Sequence, residues 1–209
     1  MSRPLGEAVT LRGAPVRDPA RWRIVVAVLL CGLLADQATK FLAADRLTTG
    51  LARAGAGLVE RVQAYYAVKH LEPFSTDPYV IFRPWWRMRY AENPGAAWSI
   101  FRDQPEAVRT AFFSLANLVM AVFVLLYLRR LGPRHRVQQV ALSMVLAGGL
   151  GNLIDRLARG YVVDFIDWHW WNRPDLYWPT FNVADSLIVV GVALLLLFPG
   201  PRPGQAARE

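Results

Sequence analysis

AFFSLANLVMAVFVLLYL, residues 111–128, is apolar on nearly every side of the helix it would form. A helix on a soluble protein keeps a polar face, and this run has none. Its length approaches the roughly 20 residues that a helix needs to cross a hydrocarbon core about 30 Å thick. Three further segments come close to the same length, at about 22–44, 137–154 and 182–198. Composition agrees: of 209 residues 54% are hydrophobic and only 19% charged, with mean hydropathy +0.23. An integral membrane protein with four transmembrane helices is therefore expected. The formal charge of +8 does not point to nucleic acid, because the basic residues are almost all Arg and are dispersed among apolar runs.

The segment 22–44 deserves separation from a signal peptide. Arg21 and Arg23 precede an apolar run that reaches Cys31, but the residue before that cysteine is Leu30 and not a small one. The run continues to Leu34, so a retained helix is expected. Cys31 is the single cysteine, which excludes a disulfide framework and a thiolate cluster, and it reads as a packing residue.

Orientation follows from the short flanks. Arg3, Arg12, Arg17, Arg21 and Arg23 precede the first helix, and Arg129, Arg130, Arg134 and Arg136 crowd the link between the second and third. Both flanks are expected in the cytoplasm. Residues 45–108 then lie outside; they carry eight basic and seven acidic residues, but long loops translocate largely regardless of charge. Within them 58–68 reads as an amphipathic stretch on which Leu58, Val62, Tyr65 and Tyr66 share a face. Trp85, Trp86 and Tyr90 suit an interface, and a turn at 93–95 precedes an expected short strand.

The carboxylates are the informative residues, since ionisable groups in or at the edge of apolar helices are costly. Asp36, Asp155, Asp164 and Asp185 all come to the outer side under this topology. Each has a structural reading beside the functional one. Asp36 and Lys40 are i,i+4 partners that could neutralise each other. Asp155 and Arg156 could pair at the interface. Asn182 and Asp185 have the spacing of an N-cap and its N3 partner. Asp164, between apolar neighbours in GYVVDFIDW, has no such simple account. A zinc site from Asp164, Asp167 and His169 is disfavoured, because His169 sits among Trp168, Trp170, Trp171 and Trp178 in what reads as an aromatic belt. No serine lies in a GxSxG context. A proton-coupled transporter would spread its acids through the membrane depth, whereas these gather at one end.

Four runs occur together and in order: DQATK (36–40), NPGAAW (93–98), GGLGNLIDRLARGYVVDF (148–165) and FNVADS (181–186). They resemble the motifs of lipoprotein signal peptidases, the signal peptidase II family of membrane aspartyl proteases. The resemblance implies an all-α integral membrane fold of four transmembrane helices with a small extracytoplasmic β-cradle. It implies catalytic aspartates at Asp164 and Asp185. Asp36, Asn93, Asn152, Asp155, Arg156 and Asn182 match supporting polar positions, joined from the same runs by Lys40, Gly95 and Ala184. The implied partners are diacylglyceryl-modified prolipoproteins and membrane lipids in the bacterial inner membrane, with no cofactor and no metal. A catalytically inactive relative would lack one of the two aspartates, and both are present. Residues 46–80 lie in a stretch longer than the family pattern and are expected to be an accessory insertion.

Overall fold

The computed structural model describes residues 19–83, 85–95, 104–132, 134–170 and 173–199. Five α-helices and four strands follow one another as α1 (Pro19–Leu47), α2 (Leu58–Ala67), β1 (Tyr79–Phe82), β2 (Trp86–Asn93), α3 (Glu106–Arg130), α4 (Arg136–Arg159), β3 (Val162–Trp170), β4 (Arg173–Tyr177) and α5 (Val183–Leu197). A short 3₁₀ turn, Glu72–Phe74, precedes β1.

Among the described residues three helices, α1, α3 and α4, are long and apolar enough to cross a membrane. The chain is thus a mostly helical, multi-pass membrane protein with a small sheet. Helix α3 shows why its sequence has no polar side. Ala121, Val124 and Leu128 pack inward, while Leu115, Leu118, Val119, Val122 and Phe123 stay on the outer surface, where lipid and not water is the solvent. Cys31 also faces outward from α1, against the expectation that it packs inside; an apolar run in a membrane helix supplies the lipid face as readily as the core.

Helix α5 is shorter, 15 residues or about 22 Å at 1.5 Å per residue. It runs antiparallel to α4, and glycines allow the approach. A Cβ on Gly148 would lie 2.3 Å from the Ala184 carbonyl oxygen, and one on Gly191 would lie 2.6 Å from that of Ala141. At one end Asn152 of α4 meets Asp185; at the other Gln138 Nε2 donates to the Phe198 carbonyl at 2.8 Å. Helix α4 continues seven residues past Asn152 to Arg159, so α5 begins about 10 Å below the end of its neighbour.

The four strands form one antiparallel sheet in chain order. A bulge in β2 sets Arg89 and Tyr90 against the single residue Phe165, between the pairs Met88↔Ile166 and Ala91↔Asp164. Strand β3 alternates normally, so Val163 and Phe165 enter the core while Asp164 points to the other face. The strand expected after the 93–95 turn falls outside the described residues; the strand that carries the site, β2, ends at Asn93 and precedes that turn.

The segment 46–80 is woven into this end of the molecule. Leu51, Tyr65 and Leu71 are buried in one cluster with Ala43, Ala44 and Leu47 of α1 and with Tyr90, Tyr161, Val163 and Phe165 of the sheet region. Thr49 N–H donates to the Phe74 carbonyl and Thr76 N–H to that of Leu47, both at 2.9 Å. Glu92 of β2 accepts from the backbone N–H groups of Leu71 and Glu72 at 2.6 and 3.1 Å. The amphipathic stretch forms α2, but Tyr65 does not share a surface with its expected companions. It is 1% exposed, whereas Leu58, Val59 and Tyr66 lie on the outside.

Candidate active site

The site is built where α5 begins. Asn182 caps that helix: its Oδ1 accepts from Asp185 N–H at 2.9 Å, and Asp185 Oδ2 accepts in return from Asn182 N–H at 3.3 Å. The cap spacing read in the sequence is real, and it does more than end a helix. Asn182 Nδ2 also donates to Asp164 Oδ1 at 2.7 Å. One residue thereby holds both carboxylates.

The second oxygen of Asp164 accepts from Asn93 Nδ2 at 2.9 Å. Asn93 is set by the turn after β2, where Gly95 N–H donates to its Oδ1 at 3.0 Å. Gly95 has φ +108°, and a Cβ there would meet the Phe113 ring at 2.5 Å, so only glycine fits. Asp164 is 2% exposed. Burial first, and the charge of Asp185 second, push its carboxyl up to about 8.

Beneath the two carboxylates lies a buried ionic layer. Lys40 Nζ donates to Asp36 Oδ2 at 2.8 Å and to Asn152 Oδ1 at 2.9 Å, and forms an ion pair with Asp155 Oδ2 at 2.9 Å. All of Asp36, Lys40 and Asp155 are fully buried. The ammonium fixes which way the Asn152 amide points. With its oxygen on Lys40, its nitrogen must face Asp185, and Nδ2 donates to Asp185 Oδ1 at 2.8 Å. Asp36 Oδ1 accepts from the Ala184 backbone N–H at 2.9 Å, which answers one of the open donors of the first turn of α5. Ala184 is itself fully buried, and Gly151 leaves the space through which Asp36 arrives, since a Cβ there would lie 2.4 Å from Asp36 Oδ2.

The sequence-based pairs need two corrections. Asp36 and Lys40 do neutralise each other, but as part of this larger layer. Asp155 pairs with Lys40 and with Arg159, whose Nη2 donates to its Oδ1 at 2.5 Å, rather than with Arg156. Arg156 turns the other way, donating to the Asn152 carbonyl at 3.3 Å with its guanidinium 5.2 Å from the Phe113 ring centre. Asp167 is taken by Arg87 and Arg89 at 2.6 and 3.2 Å; three residues from Asp164 on β3, it lies on the opposite face. Two contributors were missed. Gln37 Nε2 bonds Asp36 and Asp155, both at 3.1 Å, and Arg159 completes the layer. The i,i+4 spacing of Arg159 from Asp155 was the available signal.

Two carboxylates, one holding its proton, set by amide donors over a neutralised ionic floor, form an arrangement suited to acid–base hydrolysis. A model of the signal peptidase (SPase) II family matches residues 28–199. The chain belongs to the signal peptidase II family. Among its relatives in that family, the lipoprotein signal peptidase of Anaeromyxobacter sp. (strain Fw109-5) is 54% identical over 194 residues, covering 92% of this chain and 91% of that one. The lipoprotein signal peptidase of Pseudomonas fluorescens (strain Pf0-1) is 38% identical over 154 residues, 73% of this chain and 88% of the relative. Among solved structures, a bacterial membrane enzyme determined by the in meso method at 2.3 Å resolution superposes with TM-score 0.58 and 26% identity, covering 87% of each chain. As a signal peptidase II, the chain is a protease.

Proposed function

We propose that this chain is the intramembrane aspartic endopeptidase that removes signal peptides from diacylglyceryl-modified prolipoproteins, cutting before the lipid-modified cysteine, with Asp164 and Asp185 as the catalytic pair. The carrying observation is the sharing of Asn182 by two carboxylates of which Asp164 is held up to about 8. At neutral pH the buried Asp164 keeps its proton. Asp185 takes a proton from the attacking water while Asp164 donates to the scissile carbonyl oxygen; as the C–N bond of the gem-diol intermediate breaks, Asp185 gives its proton to the leaving amine and Asp164 takes one back from a gem-diol hydroxyl. Asn93 and Asn152 hold the pair, and Lys40, Asp36, Asp155 and Gln37 hold Asn152 and the start of α5. Arg156 braces the same turn of α4 by donating to the Asn152 carbonyl.

The direct test is a gel assay. The purified protein shortens a diacylglyceryl-modified prolipoprotein and leaves the unmodified precursor intact; no shortening of the modified substrate refutes the reading. Turnover in that assay falls as pH rises through about 8, because Asp164 then loses the proton it must donate. A rate that keeps climbing past pH 9 would assign the acid to another group.

Helix α5 is the fourth crossing in this reading. Its short length is explained by its sunken start: the missing depth is occupied by the site and by the sheet above it. Both termini lie in the cytoplasm, with α2, the sheet and the catalytic pair toward the outer face of the inner membrane. In a Cys31→Ser background, an impermeant maleimide added from outside labels Ala54→Cys and spares Gly204→Cys; the reverse pattern inverts the topology.

A further inference from the structure

Arg159, the last residue of α4, is 4% exposed, yet among the described residues its guanidinium is answered by only one hydrogen-bond acceptor. Nη2 is on Asp155, while Nε and Nη1 have no hydrogen-bond partner among the described residues. A buried guanidinium normally satisfies its donors. Here aromatic faces stand in for acceptors: the guanidinium carbon lies 4.1 Å from the ring centre of Tyr65 and 5.4 Å from that of Tyr66, both on α2. Tyr65 is locked in turn, with Phe41 of α1 set edge-on at 5.6 Å. Its hydroxyl has no hydrogen-bond partner among the described residues, so the ring and not the phenol is the part in use.

What Arg159 holds matters to the site. Asp155 Oδ2 accepts from Val163 N–H at 3.1 Å, and Val163 is the residue before Asp164. The same carboxylate oxygen takes Lys40, which orients Asn152 toward Asp185. A change in the seat of Asp155 therefore reaches both members of the pair, one through a backbone amide and the other through a side-chain amide.

We propose that Tyr65 is a positioning residue for the reaction: its ring face presses Arg159 onto Asp155, and through Asp155 the helix α2 sets the separation of Asp164 and Asp185. The segment 46–80 is on this view part of the catalytic frame and not an accessory. The proposal rests on the reading of Asp164 and Asp185 as the catalytic pair.

The test is a set of variants assayed on a diacylglyceryl-modified prolipoprotein, with rates expressed per folded enzyme in detergent. Tyr65→Phe keeps the ring face and loses only the unpartnered hydroxyl; its kcat stays within about twofold of the parent. Tyr65→Leu removes the face, and its kcat falls tenfold or more while KM changes less than threefold. Arg159→Lys keeps the charge but replaces the planar face with a compact ammonium, and it reproduces the fall in kcat. The double variant is no slower than Arg159→Lys alone, since both act through one contact. If Tyr65→Leu does not fold, Arg159→Lys compared with Tyr65→Phe carries the same decision. A normal kcat for Arg159→Lys, or multiplicative losses in the double variant, overturns the proposal. Absence of cleavage by the parent protein would instead overturn the underlying reading of the catalytic pair.

Discussion

Asp164→Asn and Asp185→Asn each lower turnover of a diacylglyceryl-modified prolipoprotein by about 10,000-fold, the upper end of what a placed acid or base contributes, and both proteins remain folded in the membrane. An amide at 164 still accepts from either Asn182 or Asn93, and losing the other bond costs about 1 kcal/mol. An amide at 185 still accepts from Asn152 or from the backbone of Asn182. Neither amide can carry a proton to or from water at neutral pH. Single-turnover cleavage, with folding followed by thermal unfolding in detergent, separates the two effects. Turnover within tenfold of the parent by either variant would remove that aspartate from the mechanism.

Lys40→Met has a comparably large effect on stability. Removing the ammonium leaves Asp36 and Asp155 fully buried with their shared cation gone, and breaking a buried ion pair from one side costs about 3–5 kcal/mol. Little folded protein is expected to accumulate. The Asp36→Asn, Lys40→Met double variant recovers part of the loss, because Asp155 keeps Arg159 and an amide at 36 can still accept from Ala184 N–H. The midpoint of thermal unfolding for the two variants measures this coupling. Equal midpoints for the single and the double variant would mean that Lys40 contributes packing alone.

Much of this site was legible because a membrane makes polar residues conspicuous. Asp36, Lys40, Asn152, Asp155, Asn182 and Asp185 stand at the ends of apolar helices, where their presence needs a reason. Helix periodicity then shows which of them share a face. The partners chosen across elements were not legible. Nothing in the spacing tells that Asp155 prefers Lys40 and Arg159 to its neighbour Arg156, because that choice is made by the direction in which the last turn of α4 presents each side chain. Tyr65 on α2 and Arg159 at the end of α4 are far apart in the chain, and an amphipathic pattern cannot say which of two adjacent tyrosines turns inward. The extent of α5 was legible within a residue at each end, 182–198 in the sequence against Val183–Leu197 in the fold.

Asn182 limits what substitution can do here. Helix starts elsewhere drift among Ser, Thr, Asp and Asn, because any of them offers an oxygen to the first turn. At this position the oxygen is engaged by Asp185 N–H and the nitrogen by Asp164, two demands met by two separate atoms. Asp would place a third carboxylate against the pair. Ser and Thr offer one short hydroxyl for both tasks. Of the common capping side chains, asparagine alone carries an acceptor and a donor side by side, so the usual tolerance of a helix end is forfeited and the position has no neutral neighbours.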